Sequence, residues 1–221
     1  MLLGIDTSDK NMNICLYDNK VIADISINTG DHCKNLLPVI ENVLNFSNIK
    51  LNNVSGFVIS DGPGSFTGLK IAASTIKALS LIEKKPIYKI STLDVLINNV
   101  IEYDGIICSI IDARNDNVFS KVVDKNNIIL EAGIYLLDDL IEILDKENRE
   151  ILFVGNAINV YKDKLNKNNK FKFATEKNNL IRASSLCELV NEKDFYTAFD
   201  LNINYYRESK AERLKNDCIK S

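Results

Sequence analysis

The residues with the clearest chemical potential are concentrated in one short stretch of this 221-residue chain. Three of the nine glycines and one of the three prolines fall between Gly62 and Gly68. The stretch follows an apolar strand and precedes a predicted helix, which Ser65 and Thr67 are both suited to cap. Because a helix N-terminus presents free N–H groups, such a loop can receive an anion. The alternative is a tight strand-to-helix turn without a ligand. The motif loop comprises Gly62, Pro63, Gly64, Ser65, Phe66, Thr67 and Gly68.

The glycine spacing of this loop fits neither a Walker loop nor a dinucleotide fingerprint. Actin-like ATPases hold phosphates between two aspartate loops whose glycines bring backbone N–H groups to the phosphate oxygens. Here Asp6 and Asp112 each follow an apolar strand, but neither adjoining loop contains glycine. We therefore expect no complete ATP cleft and no cofactor on this chain alone. The alternatives are turn or cap roles for the aspartates, or vestigial nucleotide-facing positions at Asp6, Thr7, Ser8, Asp112 and Arg114.

Histidine and cysteine usage excludes several classes of site. His32 is the single histidine, which rules out a HExxH protease or a multi-histidine zinc site. No nucleophile signature accompanies it, so a position at a helix start or an interface is expected. The five cysteines are widely spaced without a CxxC pair, which is typical of reduced and mostly buried thiols.

Charge and hydropathy exclude further partners. The net charge of −3 argues against broad nucleic-acid binding by the chain alone, although a local basic patch stays possible. The N-terminal sequence reaches Asp6 too early for a signal peptide, and no uncharged apolar run approaches the length of a membrane span. We expect a cytoplasmic protein without membrane contact and without a metal site.

The elements that must position these residues occur in two similar sets. Strands are predicted at 2–5, 13–17, 21–27, 56–59 and 87–91, with helices at 33–46, 69–84 and 93–103. The second set has strands at 106–111, 118–124, 128–131 and 151–154, with helices at 136–147, 158–165 and 183–192. Asp6 precedes Asp18 by the same interval that separates Asp112 from Asp124. This repeat predicts an α/β, actin-like fold of two ribonuclease-H-like halves, residues 1–103 and a reduced 104–221.

The two helices predicted at 33–46 and 69–84 have wider apolar faces than a helix that covers one sheet requires. In the helix predicted at 69–84, Lys70, Lys77 and Lys84 recur every seven residues and form one narrow charged stripe. Either both helices are deeply covered within the monomer, or they also form an exposed patch that marks a protein interface. The candidate interface residues are Leu36, Leu37, Ile40, Val43, Leu44, Leu69, Ala72, Ile76 and Leu79.

Several motifs, in the same order, resemble those of the TsaB family. The glycine stretch Gly62–Ile71 resembles the family signature GPGSFTGLR-I-G, with Lys70 in place of arginine and Ala73 near the usual glycine. The other matching segments are Leu3–Ser8, His32 with Leu36–Pro38, Ser91–Leu93, Asp112–Arg114, Gly155–Asn156, and Tyr206–Arg207 with Lys210–Ala211.

The resemblance implies a non-catalytic dimerisation subunit and no enzyme by itself. Such a subunit pairs with the homologous transferase TsaD through the two helices and works with the ATPase TsaE. The complex transfers threonylcarbamoyl to N6 of adenosine 37 in tRNAs that read ANN codons. Alone, the chain is expected to form an isologous homodimer, and its tRNA contact is indirect or local. The rival hypothesis is a free-standing actin-like ATP hydrolase or kinase.

Overall fold

A computed structural model of the chain describes residues 1–125 and 127–203. The first half comprises β1 (Leu2–Asp6), β2 (Asn11–Tyr17), β3 (Val21–Asn28), α1 (His32–Phe46), β4 (Gly56–Ser60), α2 (Phe66–Glu83), β5 (Ile87–Ile90) and α3 (Thr92–Asn98). The second comprises β6 (Ile106–Asp112), β7 (Asn117–Asp124), β8 (Asn127–Leu136), α4 (Leu137–Asp145), β9 (Ile151–Val154), α5 (Ala157–Leu165), β10 (Phe171–Phe173) and α6 (Ala183–Glu188). One short 3-10 helix spans Leu51–Asn53, and another spans Glu176–Asn179.

The strand order confirms the repeat. The first sheet has the order β3-β2-β1-β4-β5, and the second has the equivalent order β8-β7-β6-β9-β10. In each sheet the first three strands form an antiparallel meander, and the last two run parallel to the first strand. The chain therefore has the predicted actin-like fold of two ribonuclease-H-like halves. The second half retains all five strands and is reduced in its helices, which are shorter than α1 and α2.

Three apolar clusters form the core. One lies between the first sheet and the pair α1 and α2, and another lies between the second sheet and the pair α4 and α5. The third joins the halves, because α3 packs on β6 and β7 whereas α6 packs on β1 and β2. Because this third cluster contacts both sheets, it fixes the position of the loop after β1 relative to the loop after β6.

Several element boundaries differ from the predicted ones. α2 begins at Phe66 because the Ser65 side chain caps it, accepting a hydrogen bond from the Gly68 N–H at 3.3 Å. α3 and α6 end before the predicted residues 103 and 192, and β8 extends to Leu136 through its pairing with β7. Sequence reasoning missed β10, a short strand within a polar stretch rich in lysine and asparagine.

The cysteines follow the expected pattern where they are described. Cys15, Cys108 and Cys187 are buried and Cys33 is exposed, and all four are free thiols. Cys218 lies outside the described residues, as do the motif residues Tyr206–Arg207 and Lys210–Ala211.

Candidate functional site

The motif loop packs directly against the loop that follows β1. The Thr7 hydroxyl donates to the Gly68 carbonyl at 2.8 Å, and the Ser65 N–H donates to the Ser8 carbonyl at 2.7 Å. A Cβ added at Gly68 would lie 1.8 Å from the Thr7 carbonyl oxygen, and one at Gly64 would lie 2.7 Å from Ser8. These two glycines are therefore needed for contact between two backbones.

Asp6 is fixed at the centre of this contact. Its side chain is fully buried and accepts hydrogen bonds from the Ser60 hydroxyl at 2.5 Å, the Asn13 amide at 3.1 Å and the Ser8 N–H at 3.1 Å. Burial raises the pKa of the Asp6 carboxyl above its ordinary value, although the hydrogen bonds from Ser60, Ser8 and Asn13 oppose that shift. The arrangement ties β1, β2 and β4 together and leaves this carboxyl buried away from solvent.

The Asp6 network leads to a prediction for the variant Asp6→Asn. The buried Asn13 Oδ1 has no hydrogen-bond partner, so the Asn13 amide can rotate and accept a hydrogen bond from the new amide. We expect the variant to fold with a change in unfolding free energy of about 1 kcal/mol or less at pH 7. Because the wild-type carboxyl has a raised pKa, its contribution to stability falls as the pH rises above the ordinary aspartate value.

Urea denaturation of both proteins at a series of pH values, from the ordinary aspartate pKa of about 3.9 upward, measures this difference. The stability of the wild type relative to Asp6→Asn is expected to decrease as the pH rises. A wild type that gains stability relative to the variant over this range would contradict the account of Asp6.

The counterpart of Asp6 in the second half, Asp112, is less enclosed. It accepts hydrogen bonds from the Tyr161 hydroxyl at 3.1 Å and the Arg114 N–H at 2.8 Å, and its own N–H donates to Asn156 Oδ1. Burial, followed by the charge of Asp112, raises the pKa of Tyr161. Arg114 begins a run of three residues with positive φ, and its side chain is exposed. These contacts give Asp112 a turn-fixing role.

The cleft between the two aspartate loops is almost filled. Its free volume is about 10 Å³, and the Asn156 amide lies 3.5 Å from the Asp9 carboxylate across it. Sites for ligands of nucleotide size have volumes of roughly 300 Å³ or more. Asp6 and Asp112 do not line the remaining space, whereas Ser8 does. In this conformation Asn156 contacts Asp9 across the cleft, and the space left between the two aspartate loops is too small for a nucleotide.

His32 lies at the start of α1, as predicted. Its ring nitrogen Nε2 is 2.9 Å from the carbonyl oxygen of Asp9, to which it donates in the corresponding tautomer. The contact joins the first turn of α1 to the loop that follows β1. His32 is thus a structural link between the cleft loop and the helix.

The predicted interface residues divide into two groups. Leu37 is 55% exposed and Leu79 is half-buried, so both can meet a partner. The other seven are at most 8% exposed in the monomer, so little of their surface is available to a partner; they are Leu36, Ile40, Val43, Leu44, Leu69, Ala72 and Ile76. They point towards the first sheet because every third or fourth residue of a helix lies on one face.

A different set of side chains forms the accessible surface. On α2 the residues Ile71, Thr75, Ala78 and Ile82 follow one another at helical spacing, and Ile82 is 71% exposed. Beside them a groove of about 550 Å³ separates α2 from α1, with Leu37, Leu51 and Leu79 in its walls. We call this surface the helix face, consisting of Leu37, Leu79, Ile71, Ala78 and Ile82. The apolar character of α2 in the sequence pointed to such a surface but did not identify its residues.

Two classes of site find no support within the described residues. Across residues 1–125 and 127–203, no three histidine, cysteine, aspartate or glutamate side chains are grouped to hold a metal ion. Among the helices described, none combines the length and the apolar character needed to cross a membrane.

Comparison with known proteins adds to these observations. The family model described as "TsaD: tRNA N6-adenosine threonylcarbamoyltransferase" matches residues 26–215. The chain is 30% identical over 219 residues to a tRNA threonylcarbamoyladenosine biosynthesis protein TsaB of Bacillus subtilis, covering 96% of both chains. It is 28% identical over 149 residues to the Escherichia coli TsaB protein, covering 66% of this chain and 63% of that one.

The structural comparison supports the same fold. A structure titled YeaZ from Pseudomonas aeruginosa superimposes with a TM-score of 0.75 at 19% identity, covering 92% of this chain and 99% of that one. The alignment extends over both halves, so the likeness concerns the whole two-sheet architecture.

Proposed function

This chain belongs to the TsaB family, and we propose that it acts as a non-catalytic scaffold in the biosynthesis of threonylcarbamoyladenosine in tRNA. In this proposal it pairs with a TsaD-type transferase and works with a TsaE-type ATPase in the cytoplasm. The complex transfers threonylcarbamoyl to N6 of adenosine 37. The observation that carries the proposal is the contrast between a filled cleft and an exposed apolar helix face.

The filled cleft supports the absence of a nucleotide-dependent reaction on the lone chain. Binding ATP between the halves would require separation of Asp9 from Asn156. Asp6 would remain buried behind three hydrogen-bond donors. A site that must first be opened in this way binds a nucleotide more weakly than a preformed one, since the opening free energy is subtracted from the affinity.

The helix face supports a partner of matching shape. Exposed Leu37 and half-buried Leu79 line one groove between α1 and α2, and exposed Ile82 lies one helical turn further along α2 from Leu79. Contiguous exposed apolar surface of this kind marks protein interfaces, and helices pair through such faces by ridge-into-groove packing. Because the fold of a TsaD-type protein is homologous, it can present an equivalent pair of helices. In its absence a second copy of this chain can occupy the face, which gives an isologous homodimer.

A calorimetric measurement tests the proposal against the rival ATP hydrolase or kinase. We titrate the purified lone chain with ATP and Mg²⁺ up to about 1 mM, the upper end of ordinary enzyme KM values, and assay phosphate release in parallel. The expected result is no binding heat and no turnover. Saturable binding accompanied by turnover would refute the scaffold function. In a separate experiment, the TsaD-type protein of the same cell is expected to pair with the chain during co-purification.

A further inference from the structure

A second apolar groove lies on the other side of α2 from α1. It has a volume of about 760 Å³ and runs between the C-terminal end of α2 and the segment 191–203. Backbone hydrogen bonds of 2.8 and 2.9 Å between Tyr196 and Ile87 hold this segment on the edge of the first sheet. Aromatic side chains line part of the groove, namely Tyr88, Phe195, Tyr196 and Phe199.

Two of these rings are freely accessible. Phe199 is 84% exposed and Phe195 is 58% exposed, and neither belongs to a core cluster of the described residues. Leu81 of α2 completes the same wall of the groove. Exposed aromatic side chains beside a groove of this size can stack against a flat ligand such as a nucleobase.

A stripe of lysines leads into the groove along α2. Lys70 and Lys77 are seven residues apart in α2, so about 10 Å of helix separates them on one face, and Lys84 is the left-handed cap residue that follows the helix. Leu81 lies between Lys77 and Lys84 on that face, and Lys84 lines the groove together with Lys85. We call Lys70, Lys77, Lys84 and Lys85 the lysine stripe. Within the described lining of the groove, Glu192 is the opposing acidic side chain.

We propose that the lysine stripe and the aromatic groove form a contact site for a single-stranded loop of the tRNA substrate. Lysines along a track bind successive phosphates, and accessible rings stack on unpaired bases, which is the usual chemistry of single-stranded nucleic-acid recognition. The chain as a whole carries a net charge of −3, so the contact is local and adds to the tRNA affinity of the assembled complex. This inference rests on the proposed function.

The test measures tRNA binding and modification by the complex of the full chain with its TsaD-type partner. The variant Lys77→Gln/Lys84→Gln/Lys85→Gln removes three positive charges, and Phe199→Ala removes one exposed ring. Lys20→Gln/Lys162→Gln/Lys167→Gln is the matched control, because those three lysines are exposed and lie on other elements. The probe is an unmodified tRNA that reads an ANN codon.

We expect the lysine variant to raise the KM for tRNA about tenfold and to lower the slope of log affinity against log salt by about 2. Phe199→Ala is expected to raise the KM about fivefold with no effect on the salt slope. The matched control is expected to behave as the wild type. Unchanged KM and salt slope in both groove variants would overturn the inference while leaving the scaffold function intact.

Two other results are informative in different ways. If the lysine variant loses its TsaD-type partner and the control does not, the stripe is a protein interface and the inference is wrong. If the wild-type chain fails to support modification, the proposed function itself is wrong, whatever the variants do.

Discussion

Replacing Gly68 with alanine should destabilise the protein by about 3 kcal/mol or more, even though the change improves helix propensity. The added Cβ would lie 1.8 Å from the Thr7 carbonyl oxygen, which is backbone and has little freedom to move. Helix propensity alone predicts the opposite sign, a gain of about 1 kcal/mol. Chemical denaturation of the variant distinguishes the two effects directly.

Gly30→Ala is the matched control for this substitution. Nothing lies within 4 Å of a Cβ added at Gly30, so its stability is expected to stay within about 0.5 kcal/mol of the wild type. Because Gly68 fixes α2 against the cleft loop, any folded fraction of Gly68→Ala is also expected to bind its partner less tightly. A Gly68→Ala protein as stable as the wild type would show that this contact does not position α2.

The largest effect on partner binding is expected from the variant Leu37→Asp/Ile82→Asp. Each change places a charge on the helix face, and burying an unpaired charge in an interface is strongly unfavourable. We expect the affinity for the TsaD-type partner to fall about 100-fold or more. Because both side chains are largely exposed, the free energy of unfolding is expected to change by less than about 1 kcal/mol. Biolayer interferometry and thermal unfolding measure the two quantities.

Val160→Asp serves as the control because Val160 is 58% exposed and lies on α5 of the other half. It should leave partner affinity unchanged. Ile40→Asp is unsuitable as a probe of binding, since Ile40 is buried and its replacement would unfold the monomer. Retained pairing of Leu37→Asp/Ile82→Asp would place the interface elsewhere.

The fold could be predicted from the sequence because its two halves repeat the same order of strands and helices. Two sets of short apolar strands and the equal spacing from Asp6 to Asp18 and from Asp112 to Asp124 predicted two equivalent halves. The repeat consists of the order of strands and helices, and hydrophobic periodicity predicts that order well. β10 was missed because a three-residue strand in polar surroundings carries almost no periodic signal.

The site was less accessible, for two physical reasons. The contact of Gly68 with Thr7 joins residues 61 positions apart, and local spacing does not report which backbone a glycine approaches. On α2 nearly every position is apolar, small or a hydroxyl residue, so the sequence does not show which side faces the sheet. The predicted interface therefore combined core residues such as Ile76 with accessible ones such as Leu79.

The most direct test of the scaffold function is reconstituted modification of tRNA. The reaction contains the TsaD-type and TsaE-type proteins of the same cell, the threonylcarbamoyl donor and one form of this chain. We predict that modified adenosine forms with the wild type and with Val160→Asp, but falls at least about tenfold with Leu37→Asp/Ile82→Asp, in line with its expected loss of partner affinity. Full activity of Leu37→Asp/Ile82→Asp, or of the reaction without this chain, would contradict the account.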